Sequence, residues 1–125
     1  MRYEVRFDPD SGFVCVTVEG EYGLEQAHHI LAELRGATLR HPMAPILIDT
    51  RTANTTMTAT DTYDLGQRLR EQGVAMTVRM AIVNEPGRDF NRASFLEEIG
   101  RNRGLQIRNF HEMPPAVAWL AGETP

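Results

Sequence analysis

The chain has 125 residues and a formal net charge of −4, with 42% hydrophobic and 24% charged residues, which suits one domain with a single core. The acidic balance argues against a nucleic-acid binder, since such proteins usually carry a basic field. No apolar run reaches the length of a membrane span, and the first residues alternate like a strand instead of forming a signal core. The cytoplasm is therefore the expected location.

All thirteen basic residues are arginine, and the lack of lysine excludes several kinds of catalytic site. A Schiff-base lysine, a lysine general base and a phosphate-loop lysine all need that side chain. Ser11 and Ser94, the two serines, lie outside any nucleophile-elbow pattern. A lone cysteine cannot form an internal disulfide, and the four histidines lack the spacing of a helical metal pair. We therefore expect a protein that is not an enzyme and that has no metal and no cofactor.

A hairpin is predicted at the start of the chain. Apolar and polar residues alternate over 2–8 and again over 14–18, with the turn signal DPDSG between them. On the outer face of the second strand, Phe13, Cys15 and Thr17 are less polar than full solvation requires. This face predicts a weak homodimer.

The rest of the chain alternates between helical and strand patterns. The predicted elements are a helix over 22–40, a strand over 46–48, a helix from 59 to about 72, a strand over 78–83, a helix from about 89 to 103, a strand over 105–110 and a last helix from about 114. Asp49 is predicted to end the central strand, and Thr58 with Asp61 resembles a capping box for the second helix. Val117 and Leu120 are predicted to anchor the last helix. The order ββαβαβαβα predicts an α/β fold with a mostly parallel central sheet and an N-terminal hairpin.

This order of elements, the strand end ILIDTR and the closing segment NFHEMPPAVAWLAG resemble the STAS domain superfamily, and more closely its SpoIIAA-like branch of anti-sigma factor antagonists. The resemblance covers nearly the whole chain and implies a single domain over 1–125. It also implies regulation through a protein partner such as a kinase or a sensor. Some SpoIIAA-like chains resemble Sec14-type lipid-binding modules as well, so a small-ligand role stays open.

In anti-sigma factor antagonists, a serine within Asp-Ser-Ser-Gly at the start of the second helix is phosphorylated, and this breaks the complex with the partner. The matching stretch here is Met57–Thr60, where that pattern is missing. The resemblance leaves Thr58 and Thr60 as candidate phosphorylation sites because each offers a hydroxyl.

A candidate site is predicted where two parallel strands end. In α/β sheets ligands bind beyond the carboxyl ends of the strands, and the helices that follow present N-termini that attract anions. The residues expected at this ligand- or partner-binding surface are Asp49, Arg51, Thr58, Thr60, Asn84, Arg88 and Arg92. The alternative interpretation is a solvated surface, with the threonines serving as loop residues and one helix cap.

The sequence is compatible with two functions. One is a non-enzymatic regulatory or protein-interaction module with no nucleic-acid partner and no membrane span. The other is a small-ligand protein, for an anion or a lipid, or a weak enzyme using the strand-end surface. A pocket with apolar walls and convergent polar groups would favour the second, and a flat edge would favour the first.

Overall fold

The computed structural model of the chain describes residues 1–122, without the side chains of Arg88 and Asp89. Its elements are β1 (Arg2–Asp8), β2 (Phe13–Tyr22), α1 (Leu24–Arg40), β3 (Ile46–Thr55), α2 (Ala59–Glu71), β4 (Met80–Val83), α3 (Arg88–Asn102), β5 (Ile107–Phe110) and α4 (Met113–Leu120). Their order is ββαβαβαβα, as predicted. None of the helices in the described part of the chain has the length and apolar character needed to cross a bilayer.

The five strands form one sheet in the order β1-β2-β3-β4-β5. The hairpin strands β1 and β2 pair antiparallel, whereas β2, β3, β4 and β5 pair parallel to one another. The predicted α/β fold with a mostly parallel sheet and an N-terminal hairpin is confirmed. Each parallel crossover carries a helix, as connections between parallel strands usually do.

The helices are divided unequally between the two faces. The first three, α1 to α3, cover one face, where the first core cluster includes Val16, Leu31, Ile46 and Leu96. The short α4 packs on the other face and makes a second, smaller cluster around Trp119. Alternate residues of each strand therefore belong to different clusters, as the pleat of a strand requires.

The prediction that Asp49 ends the central strand was wrong. β3 continues to Thr55 because β2 is also ten residues long and pairs with it as far as Tyr22. The threonines of this segment are β-branched and suit a strand better than the predicted loop. Asp49 is instead the last residue of β3 that pairs with β4, opposite Val83.

Two expectations for the second face were also wrong. Val117 is exposed, at 36% of its full area, and α4 is anchored by Ala116, Trp119 and Leu120. Phe13 is 6% exposed because it packs in the second cluster with residues of α4, whereas Thr17 on the same face of β2 is exposed as expected. The predicted homodimer loses Phe13 from its basis and stays untested.

Candidate functional site

Asp49 and Arg51 form an ion pair. The Arg51 guanidinium donates from Nε to Asp49 Oδ1 at 3.0 Å and from one Nη to Oδ2 at 2.9 Å, and the Arg51 amide donates to Oδ1 at 3.1 Å. Burial alone would raise the pKa of Asp49, but the hydrogen bonds and charge of Arg51 outweigh it and hold that pKa below its usual range. Both charges are therefore already paired.

Asp49 and Arg51 lie on the same side of β3 because they are two residues apart, and a β-bulge lies beside them. Thr17 pairs with Asp49 and Glu19 pairs with Thr52, so β3 has one residue more than β2 between the two pairs. The extra residue interrupts the alternation of β3. Thr50 points towards the three-helix face and donates to the Val83 carbonyl at 3.1 Å.

Thr58 caps α2, as predicted. Its hydroxyl accepts from the Asp61 amide at 3.1 Å, while Asp61 Oδ2 accepts from the Thr58 amide at 3.0 Å. Thr58 and Thr60 are both exposed. The capping box explains why α2 begins here, and it leaves both hydroxyls at the surface.

Asn84 is buried, at 1% of its full area, and does not face a partner or solvent. Its amide group donates to Asn109 Oδ1 at 2.6 Å, and Asn109 in turn donates to the Ser94 hydroxyl at 2.9 Å and to the Phe90 carbonyl at 3.2 Å. Asn84 Oδ1 has no hydrogen-bond partner within the described residues. The network ties the end of β4 to β5 and α3.

Arg92 reaches from α3 to the segment before α2. Its Nε donates to the Met57 carbonyl at 3.1 Å, and the side chain is half-buried. Among the side chains that the structure describes, none accepts a hydrogen bond from its two Nη atoms. The side chain of Arg88, also predicted for this site, lies outside the described residues.

The predicted site residues therefore fall into separate groups. The Asp49–Arg51 pair lies on the side of β3 that faces α4, and Asn84 is internal. Arg92 and the Thr58 cap lie together on the three-helix side, linked through Met57. Within the described part of the chain, no three His, Cys, Asp or Glu side chains are grouped closely enough to hold a metal ion.

The structure reveals a cavity that the sequence analysis missed. It has a volume of about 100 Å³ and lies between the sheet and α1, α2 and α3. Most of its lining is apolar, and its polar members include Thr50, Thr62 and Arg92. The lining residues are Val18, Tyr22, Ala27, Ile30, Leu31, Leu34, Ile48, Thr50, Met57, Thr62, Leu65, Leu69, Met80, Ile82, Arg92, Ala93 and Leu96.

Both threonine hydroxyls in this lining are committed to backbone carbonyls. Thr50 donates to Val83, and Thr62 donates to Thr58 at 2.9 Å. Arg92 is therefore the positively charged group of the lining, and its Nη atoms are not used by the described side chains. The helical stripes of the sequence predicted which faces are buried, but no sequence pattern reports that they fail to fill the space between them.

Comparison with known proteins supports the fold. No model of a known family matches the sequence, and no curated protein matches it either. A solved structure does match: an uncharacterized protein from the DUF3478 family of Shewanella loihica PV-4, described as having a SpoIIAA-like fold. The match covers 95% of this chain and 92% of that chain, with a TM-score of 0.60 and 16% sequence identity. The chain has a SpoIIAA-like fold, which confirms the resemblance seen in the sequence at the level of architecture.

Proposed function

We propose that this protein is a non-enzymatic binding module whose ligand is a small apolar carboxylate held in the cavity between the sheet and α1, α2 and α3. The cavity itself carries the proposal. Close-packed protein interiors leave few voids larger than a water molecule, and an apolar void destabilises the protein that contains it. A ligand that fills this space would offset that cost.

The volume limits the size of the ligand. An engineered apolar cavity of about 150 Å³ takes up benzene. A cavity of about 100 Å³ therefore suits an apolar group of roughly four to five carbon atoms by the same comparison. Branched or short straight chains fit this description better than a long acyl chain.

Arg92 supplies the reason for a carboxylate. A guanidinium group binds carboxylates through two parallel N–H donors. Its Nε already donates to the Met57 carbonyl, which fixes the orientation of the group at the cavity wall. The two Nη atoms are then presented as one fork to a ligand whose tail occupies the apolar part.

The test is a titration with butyrate, isovalerate and hexanoate, followed by ¹H–¹⁵N NMR. We expect saturable shifts in residues that line the cavity, with isobutanol as the matched uncharged probe. Arg92→Gln should weaken the binding of the carboxylates by about tenfold, as expected for the loss of a hydrogen bond to a charged group. The affinity for isobutanol should not change. Equal affinity for the carboxylates in both proteins would contradict the assigned role of Arg92, and no saturable shift with any probe would contradict the proposal.

A second candidate function is a regulatory protein-interaction module that uses the start of α2. The observation in its favour is the exposed pair Thr58 and Thr60, next to the cavity-lining residue Met57. A phosphate on Thr58 would stand against the Asp61 carboxylate, because the two side chains share one capping box. Like-charge repulsion would open the box and change the surface at this helix start.

This candidate is tested by comparing Thr58→Ala, Thr58→Asp and Thr60→Ala in stability and in binding to a captured partner. Thr58→Ala should lower the free energy of unfolding by about 1 kcal/mol through the lost cap. A regulatory surface predicts that Thr58→Asp also loses the partner while Thr60→Ala retains it. If all three variants bind the partner equally, Thr58 is a structural cap and the interaction role at this surface is wrong.

A further inference from the structure

A polar cleft of about 530 Å³ lies at the opposite end of the sheet from the α2 capping box, where β4 and β5 begin. Three arginines, Arg79, Arg101 and Arg108, line it together with Glu97, Gln106 and Trp119. The whole chain is acidic, so three guanidinium groups at one cleft are a local reversal of charge. Such a reversal favours the binding of anions.

Two of the three arginines have no carboxylate partner among the described residues. Arg101 pairs with Glu97 Oε2 at 3.0 Å, so their charges largely cancel. Arg79 donates from one Nη to the Trp119 carbonyl at 2.6 Å, and its guanidinium carbon lies 5.1 Å from the centre of the Trp119 ring. Arg108 lies 5.9 Å from the same ring centre and makes no described hydrogen bond or ion pair through its side chain.

Both unpaired cations thus lie near the Trp119 ring, and Arg108 also lies 5.4 Å from the centre of the Phe110 ring. Cation–π contacts orient both guanidinium groups, but neutral rings do not neutralise the two positive charges. A group with two negative charges between them would compensate both and would accept bidentate hydrogen bonds from each. We propose that this cleft binds a small phosphate monoester, with Arg79 and Arg108 holding the phosphate.

The chemistry of the cleft separates this ligand from an acidic peptide. A peptide would most readily add as a strand at the free edge of β5. That edge is partly blocked, because the Asn109 amide donates to Glu97 Oε1 at 2.6 Å. Gln106 also lines the cleft, and its side-chain oxygen offers an acceptor for a hydroxyl group of a polyol ester.

Trp119 provides a direct readout because it is the only tryptophan of the chain. The experiment follows its fluorescence during titration with glycerol 3-phosphate, inorganic phosphate, acetate and vesicles containing phosphatidic acid, all at constant ionic strength. We expect saturation with glycerol 3-phosphate, weaker saturation with inorganic phosphate and no saturable change with acetate. A response confined to the vesicles, or an equal response to acetate, would overturn the proposal.

Arg108→Gln is the informative variant, since this side chain holds no described hydrogen bond whose loss would disturb the fold. This substitution should weaken the binding of glycerol 3-phosphate by about tenfold, as expected for a lost charge-assisted hydrogen bond. The matched control is Arg35→Gln, which removes the same charge from an exposed position on α1 and should leave the affinity unchanged. Equal weakening in both variants would mean that only net charge matters, and would refute a site at the cleft.

Discussion

Replacing Ala93 by leucine should fill the cavity and stabilise the protein. Ala93 lies on α3 and contributes to the cavity lining. A void costs about 24 cal/mol per Å³, so a volume of about 100 Å³ corresponds to roughly 2 kcal/mol. Burying the three carbon atoms that leucine adds gives roughly the same stabilisation, at about 0.8 kcal/mol for each carbon.

The gain is reduced by the lost side-chain freedom of leucine, about 0.5–1 kcal/mol. A net increase of about 1 kcal/mol in the free energy of unfolding follows, or roughly 4 °C in Tm for a domain of this size. Urea unfolding followed by circular dichroism measures it. The same variant should lose the NMR response to isovalerate, because the leucine occupies the space of the ligand.

The matched control is Ala116→Leu, on α4. Ala116 is 0% exposed and belongs to the second core cluster, away from the lining of the cavity. Overpacking there should cost about 1–3 kcal/mol. If Ala93→Leu destabilises the protein as much as Ala116→Leu does, α3 has no free space beside Ala93 and the cavity cannot hold a ligand.

Three further predictions follow from other contacts. Gly66→Ala should lower the free energy of unfolding in urea by about 1 kcal/mol, because the added Cβ would come within 2.7 Å of Ile99 Cγ2 and overpacking outweighs the gain in helix propensity. Ile99→Leu removes that methyl group and should restore the lost stability. A Gly66→Ala protein that is more stable than the parent would contradict this prediction. Asp49→Asn should lower the free energy of unfolding by about 0.5–1 kcal/mol at pH 7. Since Arg51 lowers the pKa of Asp49 in the folded protein, this difference from the parent should vanish as the pH falls through that lowered pKa. A stability difference that persists in strong acid would count against the ion pair. Burial, followed by the charge of Asp8, raises the pKa of the Cys15 thiol. Iodoacetamide at pH 8 should therefore react with Cys15 more slowly than with free cysteine. Equal reaction rates in the absence of denaturant would contradict the raised pKa.

The sequence was sufficient for the architecture because each element carries its own local signal. The spacing of apolar residues marked the helices, and the Thr58–Asp61 pair marked the start of α2. The end of β3 was misplaced, since its length depends on pairing with β2 and not on a local pattern. Register across a sheet is a long-range property that a single strand does not encode.

The site was harder to predict than the fold for a related reason. The starts of α2 and α3 were placed correctly enough to bring Arg92 and the Thr58 cap together. The extension of β3 past Asp49 and the second core under α4 could not be foreseen. Asp49 lies on the side of the sheet opposite that group because it alternates with Ile48. The cavity arises from how three helices meet, which depends on side-chain volumes across several elements.

A small apolar carboxylate is proposed to occupy the cavity beside Arg92. The most direct measurement is an isotope-filtered NOE experiment on the protein saturated with isovalerate. We expect contacts between the ligand methyl groups and cavity-lining side chains such as Leu34, Ala93 and Leu96. Contacts only with surface residues, or none at saturating ligand, would contradict it.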